Sequence, residues 1–329
     1  MSSLLSAVIA GTGMSVPERV LTNTDLEEMV DTSDEWITTR TGIKERRIAE
    51  PGVPLSRYCI EASRNAIESA GLRPEQIDLI ILATVTPDMP IPATACTIQH
   101  ELGCGKAASF DMQAGCSGFI YALSVARQFL LTERFKNALV IGAELLSTCV
   151  DWTDRSTCVI FADGAGAVVL SAGEQPQGVL YSAMHTDGSM IDFIDRRGGG
   201  TLNPPSHEMI DAGLHHIRMR GNETFKMAVR SMEEVCREVL ERAGLQTSDV
   251  DWLVPHQANL RIIKAVGTRL GIPAERCYVN IDRYGNTSAA SIPIALDEAV
   301  RSKSIKAGDI VLMTAFGAGL TWAASVVRW

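Results

Sequence analysis

The second half of the chain repeats apolar patterns of the first half at a constant spacing. In each half a predicted amphipathic helix, over Ser56–Ala70 or Glu223–Ala243, leads through Ala-Gly-Leu into an apolar strand, with glycine in the capping position. The two Ala-Gly-Leu runs are 243 − 70 = 173 residues apart. The segments that match at this spacing are Ala70–Leu72 with Ala243–Leu245, Ala122–Leu123 with Ala295–Leu296, and the strands around Leu139 and Leu312. Three matches at one spacing indicate a duplicated α/β unit.

Strands that alternate with helices predict mainly parallel sheets covered by helices. Two copies packed about a pseudo-twofold axis would form an α/β fold in a five-layer αβαβα arrangement. We expect one half to span residues 1–173 and the other residues 174–329, and Asp187–Asn203 to be an irregular surface excursion. The predicted strands are Ala7–Gly11, Ile77–Thr84, Ala108–Gln113, Asn137–Ala143, Gly164–Ser171, Val250–Pro255, Tyr278–Asp282, Asp309–Phe316 and Trp322–Arg328.

Composition and charge argue against several classes of function. The chain has 329 residues, 46% hydrophobic and 21% charged, so it can bury a large core. No apolar run reaches the roughly 18 residues of a membrane span, and the N-terminus lacks the basic start of a signal peptide. We therefore expect no membrane partner and a cytoplasmic location. The net charge of −9, without a basic block, argues against a nucleic-acid partner.

Cysteine and histidine spacing argues against a metal centre. The 8 cysteines include no C-x-x-C pair, which argues against a zinc site and a redox dithiol. The only adjacent histidines are His215 and His216, and adjacent residues on a helix or strand point to different faces. We expect no bound metal.

Three polar side chains stand where a predicted strand gives way to a helix, beside small residues. They are Cys116 in Ala114–Gly118, His256 in Pro255–Asn259 and Asn286 in Tyr284–Ser291. Cys116 precedes the apolar helix Phe119–Leu131, whose dipole would stabilise a thiolate. Taken singly, each residue is more commonly structural. Because the ends of equivalent strands would meet across the pseudo-twofold axis, we expect the three side chains to lie close together. A cysteine with two such polar partners suggests a thiol nucleophile that reacts with a thioester.

These motifs, together with four others, carry a family resemblance that extends over nearly the whole chain. The matching stretches are Asp31–Ile37, Arg40–Ile43, Ala114–Phe119, Phe161–Ala167, Pro255–Asn259, Gly285–Ser291 and Phe316–Gly319. Each alone is weak, but together they are highly specific. The chain resembles the β-ketoacyl-acyl carrier protein synthase III enzymes of the thiolase superfamily, which implies a thiolase-like fold.

The resemblance implies an acyltransferase that performs the initiating condensation of fatty acid biosynthesis. Cys116 would take an acyl group from a short acyl-CoA, with acetyl-CoA the expected primer. Malonyl-acyl carrier protein would then lose CO2, and its carbanion would attack the acyl-cysteine to give 3-oxoacyl-acyl carrier protein. The family pattern places His256 and Asn286 on the malonyl thioester oxygen. No cofactor is expected, because acyl-CoA is a substrate.

The resemblance also assigns residues around the acyl pocket. The N–H groups of Cys116 and Ala318 would form an oxyanion hole. Phe316 would shield the cysteine and favour loss of the carboxylate, although ordinary core packing explains this residue as well. Family members are homodimers, and Ile91 matches a position that closes the acyl pocket of the partner subunit.

Coenzyme A and the carrier protein would bind through two further groups of residues. Trp36 and Arg40 are four apart on a predicted helix, which suits an adenine ring on the indole with a guanidinium near phosphate. By resemblance, Arg155 lies on the other face of the adenine, and Gly221 and Asn259 line the pantetheine channel. The helix after His256 carries a basic arc that an acidic carrier protein would contact. This arc comprises Arg261, Lys264 and Arg269.

Other functions remain open on the sequence. A condensing enzyme of a polyketide or quinolone-type pathway would use the same three residues. A non-decarboxylating thiolase would need a second cysteine near the C-terminal glycine-rich loop, but the last cysteine is Cys277. A non-catalytic scaffold that binds carrier protein should have lost one of the three residues, and none is missing. The local signatures of cysteine proteases are absent.

Overall fold

Two mixed β-sheets, one from each half of the chain, form the framework of the computed structural model, which describes residues 5–174 and 176–329. Residues 1–4, part of the segment compared with a signal peptide, lie outside the described residues. The strands are β1 Leu5–Ser15, β2 Val20–Thr22, β3 Glu45–Arg47, β4 Leu79–Ala83, β5 Ala108–Met112, β6 Asn137–Leu145, β7 Asp163–Glu174, β8 Gly178–Thr186, β9 Ile194–Asp195, β10 Arg218–Met219, β11 Trp252–Pro255, β12 Ile310–Gly317 and β13 Thr321–Arg328.

Helices connect the strands and cover both sheets. They are α1 Asn23–Glu27, α2 Asp34–Thr41, α3 Leu55–Ser69, α4 Thr94–Leu102, α5 Gly118–Leu130, α6 Arg155–Cys158, α7 His207–Asp211, α8 Gly221–Arg242, α9 Leu260–Leu270, α10 Ile281–Tyr284 and α11 Ser291–Arg301. The predicted helices Ser56–Ala70, Phe119–Leu131 and Glu223–Ala243 agree with α3, α5 and α8 to within two residues at each end, and α9 is the helix predicted after His256.

The second sheet repeats the order and pairing of the first four strands of the first sheet. Their strand orders are β1-β7-β6-β4-β5 and β8-β13-β12-β11. In each sheet the first two pairings are antiparallel and the third is parallel. The equivalent strands β1 and β8 begin 178 − 5 = 173 residues apart, and β4 and β11 begin 252 − 79 = 173 residues apart. The predicted duplication is confirmed by this topology.

The helices and sheets form five layers, with buried side chains packed between them. One core lies between the first sheet and the helices α3 and α4. A second contains α5 and α11 between the facing sides of the two sheets, and a third lies between the second sheet and the helices α8 and α9. Because α5 and α11 form the middle layer, they are buried on most sides, which explains their high content of Ala, Ile and Leu. The predicted αβαβα arrangement is therefore confirmed.

The predicted strand Tyr278–Asp282 is wrong. This segment lies where the second sheet would have its equivalent of β5, but the one bridge found there among the described residues is between Leu253 and Cys277, which precedes the segment. Three residues after Cys277 the N–H of Asn280 donates to the side-chain oxygen Oε1 of Gln257 at 3.0 Å, and α10 begins at Ile281. A side-chain acceptor thus replaces the strand partner that would have continued the sheet.

Two further segments complete the comparison with the predicted elements. Strand β8 was not predicted, although its start lies one repeat spacing after that of β1. The predicted excursion Asp187–Asn203 is largely irregular, with one short 3-10 turn and the two-residue strand β9. Strand β9 pairs with β10 in a small sheet of its own. No helix within the described ranges is long and apolar enough to cross a membrane.

Candidate active site

Cys116 lies in a 3-10 turn, Gly115–Ser117, between β5 and α5. This turn touches the loop after β12: a Cβ on Gly115 would lie 2.9 Å from Ala318 N, and one on Gly317 would lie 2.5 Å from Cys116 N. Glycine is needed at Gly115 also because its φ is +52°. In the described chain neither Cys116 N nor Ala318 N donates to a backbone carbonyl outside the regular elements. Two N–H groups are therefore left near the sulfur for a ligand oxygen.

Burial opposes ionisation of the Cys116 thiol. Burial raises its pKa to about 11, while the Ser288 hydroxyl faces the sulfur closely enough to lower it. Cys116 lies two residues before the first residue of α5, so the stabilisation of a thiolate by this helix N-terminus stays a prediction, and burial acts against it.

Asn286 joins the two halves of the chain next to Cys116. Its backbone accepts from Ala162 N at 2.9 Å and donates to Ile160 O at 3.0 Å. Its side-chain Oδ1 accepts from Ser288 N at 2.9 Å. Asn286 is 5% exposed, and no described residue is hydrogen-bonded to its Nδ2. The side chain is thus fixed through its oxygen while its amide donor stays available.

His256 follows β11 and is 2% exposed. Its Nδ1 lies 2.7 Å from Ser291 Oγ, which also accepts from Gln257 N at 3.3 Å. In the part of the chain that the structure describes, the Ser291 hydroxyl has no other acceptor, so we assign its proton to Nδ1 and the imidazole proton to Nε2. Burial lowers the pKa of His256 to about 3, so the ring is a neutral N–H donor.

One segment, Asn286–Ser291, brings the three predicted residues together. It contributes Asn286 directly, reaches Cys116 through Ser288, and holds His256 through Ser291. The segment sits close against β6 because Gly142 has no side chain: a Cβ there would lie 2.2 Å from Ala289 O.

The low pKa of His256 predicts a pH-dependent contribution to stability. The unfolded imidazole takes up a proton below about pH 6.5, whereas the folded one does so only near pH 3, so stability falls as the pH drops through this window. Between about pH 6.5 and 5 we expect wild type to lose about 2 kcal/mol more unfolding free energy than His256→Gln. Urea unfolding of both proteins measures the difference. A difference that does not change with pH would mean that folded His256 is charged.

The predicted coenzyme A residues Trp36, Arg40 and Arg155 lie together. Arg40 Cζ is 4.8 Å from the Trp36 ring centroid, and Arg155 Cζ is 5.0 Å from it. Asn259 caps α9 by accepting from Arg261 N at 2.8 Å and donates to Arg40 O at 3.0 Å, so it also ties α9 to α2. Gly221 is the exposed first residue of α8.

The predicted carrier-protein residues are all exposed on α9. Arg261 Cζ lies 5.4 Å from the Phe225 ring centroid. Arg269 pairs with Glu233 at 2.8 Å, and Glu233 also pairs with Arg237 of α8 at 3.1 Å. Glu233 of α8 therefore partly neutralises the charge of Arg269. The three predicted residues are Arg261, Lys264 and Arg269.

Two pocket residues have contrasting environments. Phe316 is 4% exposed and packs with Trp322, with ring centroids 6.5 Å apart. Ile91 is 86% exposed on the single chain. Its assignment to a partner's pocket remains a prediction.

Sequence reasoning missed three polar residues beside Cys116 and His256. Ser288 and Ser291 lie in a motif that was recognised for Asn286 alone. Glu144 is fully buried in β6 and accepts a hydrogen bond from Ser288 Oγ at 3.4 Å. A carboxylate within an otherwise apolar strand was the available signal. Within residues 5–174 and 176–329, no three His, Cys, Asp or Glu side chains are grouped to hold a metal ion.

Comparisons with known proteins show which family this chain is similar to. Residues 110–188 match the family model "3-Oxoacyl-acyl-carrier-protein (ACP) synthase III", and residues 240–329 match the model of its C-terminal part. A β-ketoacyl-acyl-carrier-protein synthase III of Caldanaerobacter subterraneus is 55% identical over 329 residues, which are 100% of this chain and 99% of the relative.

Solved structures agree with the sequence matches. The crystal structure of 3-oxoacyl-acyl-carrier-protein synthase III from Aquifex aeolicus has a TM-score of 0.92 and 52% identity, and the match covers 98% of this chain and 100% of that one. The priming β-ketosynthase of the R1128 polyketide pathway has a TM-score of 0.92 and 35% identity, over 98% of this chain and 96% of that one. The chain therefore belongs to the β-ketoacyl-acyl carrier protein synthase III family, whose members have the thiolase fold.

Proposed function

We propose that the chain catalyses the initiating condensation of fatty acid synthesis, from a short acyl-CoA and malonyl-acyl carrier protein, with Cys116, His256 and Asn286 as its catalytic residues. The observation that carries this proposal is the Asn286–Ser291 segment, which ties all three to one place. The products are 3-oxoacyl-acyl carrier protein, coenzyme A and CO2. Acetyl-CoA is the proposed primer.

Acyl loading is the first half of the reaction. The Cys116 sulfur attacks the thioester carbonyl of acyl-CoA, and the developing oxyanion accepts hydrogen bonds from Cys116 N and Ala318 N. The support for this role is that both N–H groups lie in touching loops and have no backbone acceptor among the described residues. Coenzyme A then leaves, and the acyl group stays on the sulfur.

Condensation requires a donor for the malonyl thioester oxygen, where negative charge develops as CO2 departs. His256 offers Nε2–H and Asn286 offers Nδ2–H, since each side chain is already held by its other polar atom. A neutral imidazole suits this role because it donates without bringing a charge into a buried site. The carbanion forms by loss of CO2, attacks the acyl carbon, and expels the Cys116 sulfur.

We assign the binding of coenzyme A and of the carrier protein to residues outside the catalytic group. Trp36, Arg40 and Arg155 form an aromatic and cationic group suited to the adenine and phosphates of coenzyme A. We propose that Gly221 and Asn259 line the pantetheine path. The exposed basic face of α9 suits an acidic carrier protein. In a homodimer the exposed Ile91 would close the partner's acyl pocket.

A second candidate is the priming of a polyketide pathway. It is favoured by the 35% identity to a priming β-ketosynthase of such a pathway. The chemistry at Cys116 would be the same, and the two candidates differ in the primer and in the carrier protein that receives the product.

A panel of acyl-CoA primers tests the proposed function. The protein is incubated with acetyl-CoA, branched short acyl-CoAs and longer acyl-CoAs, and the covalent intermediate is measured by intact-mass spectrometry. Malonyl-acyl carrier protein is then added, and 3-oxoacyl product and CO2 are measured. We expect loading and turnover with acetyl-CoA. Loading without condensation on a fatty-acid carrier protein, but with condensation on a polyketide carrier protein, would favour the second candidate.

A further inference from the structure

Two buried hydroxyls join the catalytic turn to the β12–β13 hairpin, and the proposed chemistry gives them no role. The turn is Gly115–Ser117 in the first half of the chain, and residues 318–320 connect β12 to β13 in the second half. Ser117 is fully buried, and Thr321 is 8% exposed. Each hydroxyl donates to a backbone carbonyl of the opposite segment.

Thr321 reaches from the hairpin to the catalytic turn. Its Oγ1 donates to Ala114 O at 2.8 Å and to Ala318 O at 3.1 Å. The single hydroxyl proton is therefore shared between the residue before the turn and the first residue of the hairpin connection. Ala114 O also accepts from Ser117 N at 3.2 Å, so this carbonyl has a donor even without Thr321.

Ser117 makes the reciprocal contact, because its Oγ donates to Thr321 O at 3.1 Å. The two hydroxyls thus form a pair of hydrogen bonds in opposite directions between the turn and the hairpin, here called the hydroxyl clamp. Among the residues that the structure describes, no backbone hydrogen bond outside the regular elements joins these two segments. The hydroxyl clamp therefore supplies the hydrogen bonds that hold the turn against the hairpin.

The hydroxyl clamp lies on both sides of the proposed oxyanion hole. Cys116 stands between Ala114 and Ser117, the two residues of the turn that the clamp holds. Ala318 is held directly, because its carbonyl accepts from Thr321. The hydrogen bonds of the clamp join residues that are 207 and 204 apart in the sequence. The spacing of the two N–H groups thus depends on a contact between the two halves of the chain.

An oxyanion hole stabilises negative charge only when both donors point at the same oxygen. Here the donors belong to separate segments, so neither segment alone fixes their spacing. One side of the hairpin connection is held by Leu320, which exchanges two backbone hydrogen bonds with Asp187, both at 2.9 Å. The side that faces the Cys116 turn is held by the hydroxyl clamp.

We propose that Thr321 and Ser117 are positioning residues, whose hydroxyls set the spacing of the Cys116 and Ala318 N–H groups for acyl loading. This inference rests on the proposed function. Neither hydroxyl contacts the thioester carbonyl in this scheme, since each donates to the protein backbone. No bond to either hydroxyl forms or breaks during the reaction.

The rate of acyl loading from acetyl-CoA tests the proposal. Thr321→Val keeps the shape of the side chain and a residue suited to the strand pair with Gly317, but it removes the hydroxyl. The loading rate at saturating acetyl-CoA should fall about 10²-fold, the effect of a small misplacement of catalytic groups. The acetyl-CoA concentration that gives half the maximal rate should stay close to the wild-type value. Thr321→Ser keeps the hydroxyl and should restore the rate.

A second variant and a matched control complete the experiment. Ser117→Ala removes the other hydrogen bond of the clamp and should slow loading about 10-fold, so it tests the proposal even if Thr321→Val does not fold. Thr314→Val is the control, because Thr314 is a fully buried residue of β12 whose hydroxyl donates to Ala323 O at 3.2 Å within the hairpin. We expect this control to load at the wild-type rate.

Intact-mass spectrometry after rapid quench gives both the rate and the final extent of acylation. In the clamp variants the rate should fall while the final extent reaches the wild-type value, since a folded protein with a misplaced donor still loads completely. A reduced extent at an unchanged rate reports loss of folded protein and would overturn the positioning role.

The remaining outcomes separate this inference from the proposed function. If wild type is not acylated by any short acyl-CoA, the proposed function fails. If wild type loads, and Thr321→Val and Ser117→Ala load as fast as wild type, the hydroxyl clamp has no positioning role. If Thr321→Ser loads as slowly as Thr321→Val, the hydroxyl is not the group that holds the turn, and the proposal is overturned.

Discussion

Cys116→Ser should abolish acyl loading, so the protein should show no mass increase after incubation with acetyl-CoA. Turnover should fall at least about 10⁴-fold, which is the usual effect of removing a nucleophile. The serine hydroxyl ionises far less readily than a thiol, and at this position burial raises the pKa even of the thiol to about 11. The Ser288 contact and the two backbone N–H groups would still be present, but they would have no competent nucleophile to serve.

Cys277→Ser provides the matched control for this experiment. Cys277 is also a partly buried free thiol with a pKa raised to about 11, but it lies in the segment beside β11, away from the Cys116 turn. We expect it to load and turn over like wild type. Acylation of Cys116→Ser at the wild-type rate would place the nucleophile elsewhere. Peptide mapping of the acylated wild type would then identify the residue that carries the acyl group.

The fold was predictable to the extent that it depends on repetition. The 173-residue spacing around Ala70 and Ala243 predicted two equivalent sheets, which the strand orders confirm. Strand β8, Gly178–Thr186, was missed because polar residues such as Ser182 and His185 interrupt its apolar ones. Applying the spacing to β1 would have located it. The prediction of a strand at Tyr278–Asp282 was wrong for a different reason. The Gln257 side chain accepts the hydrogen bond of the Asn280 N–H, and no local sequence pattern reveals such a partner.

The site was predictable where its residues lie in short motifs. Cys116, His256 and Asn286 each stand beside small residues at the end of a strand or turn, and the structure joins them through Ser288 and Ser291. The effect of burial on the pKa of Cys116 was not predictable from its motif, because burial comes from the whole fold. Glu144 was missed for the same reason: its contacts with Thr84 and Ser288 span 60 and 144 residues of sequence.

His256→Ala and Asn286→Ala should separate the two halves of the reaction. Each variant should still be acylated by acetyl-CoA at close to the wild-type rate, because neither side chain donates to the oxyanion of the loading step in the proposed mechanism. Each should lose condensation and CO2 release by about 10² to 10³-fold, the usual effect of removing one donor to a developing oxyanion. The measurement loads the enzyme first, then adds malonyl-acyl carrier protein and follows CO2 and product separately.

The double variant, with His256→Ala and Asn286→Ala together, tests this assignment more stringently. If Nε2–H of His256 and Nδ2–H of Asn286 hold the same thioester oxygen, removing one leaves the other poorly placed. The combined loss should then be smaller than the product of the two single losses. A combined loss equal to that product would mean that the two donors act on different groups. Loss of acyl loading in His256→Ala would instead make the imidazole the acceptor of the Cys116 proton, against the tautomer that Ser291 imposes.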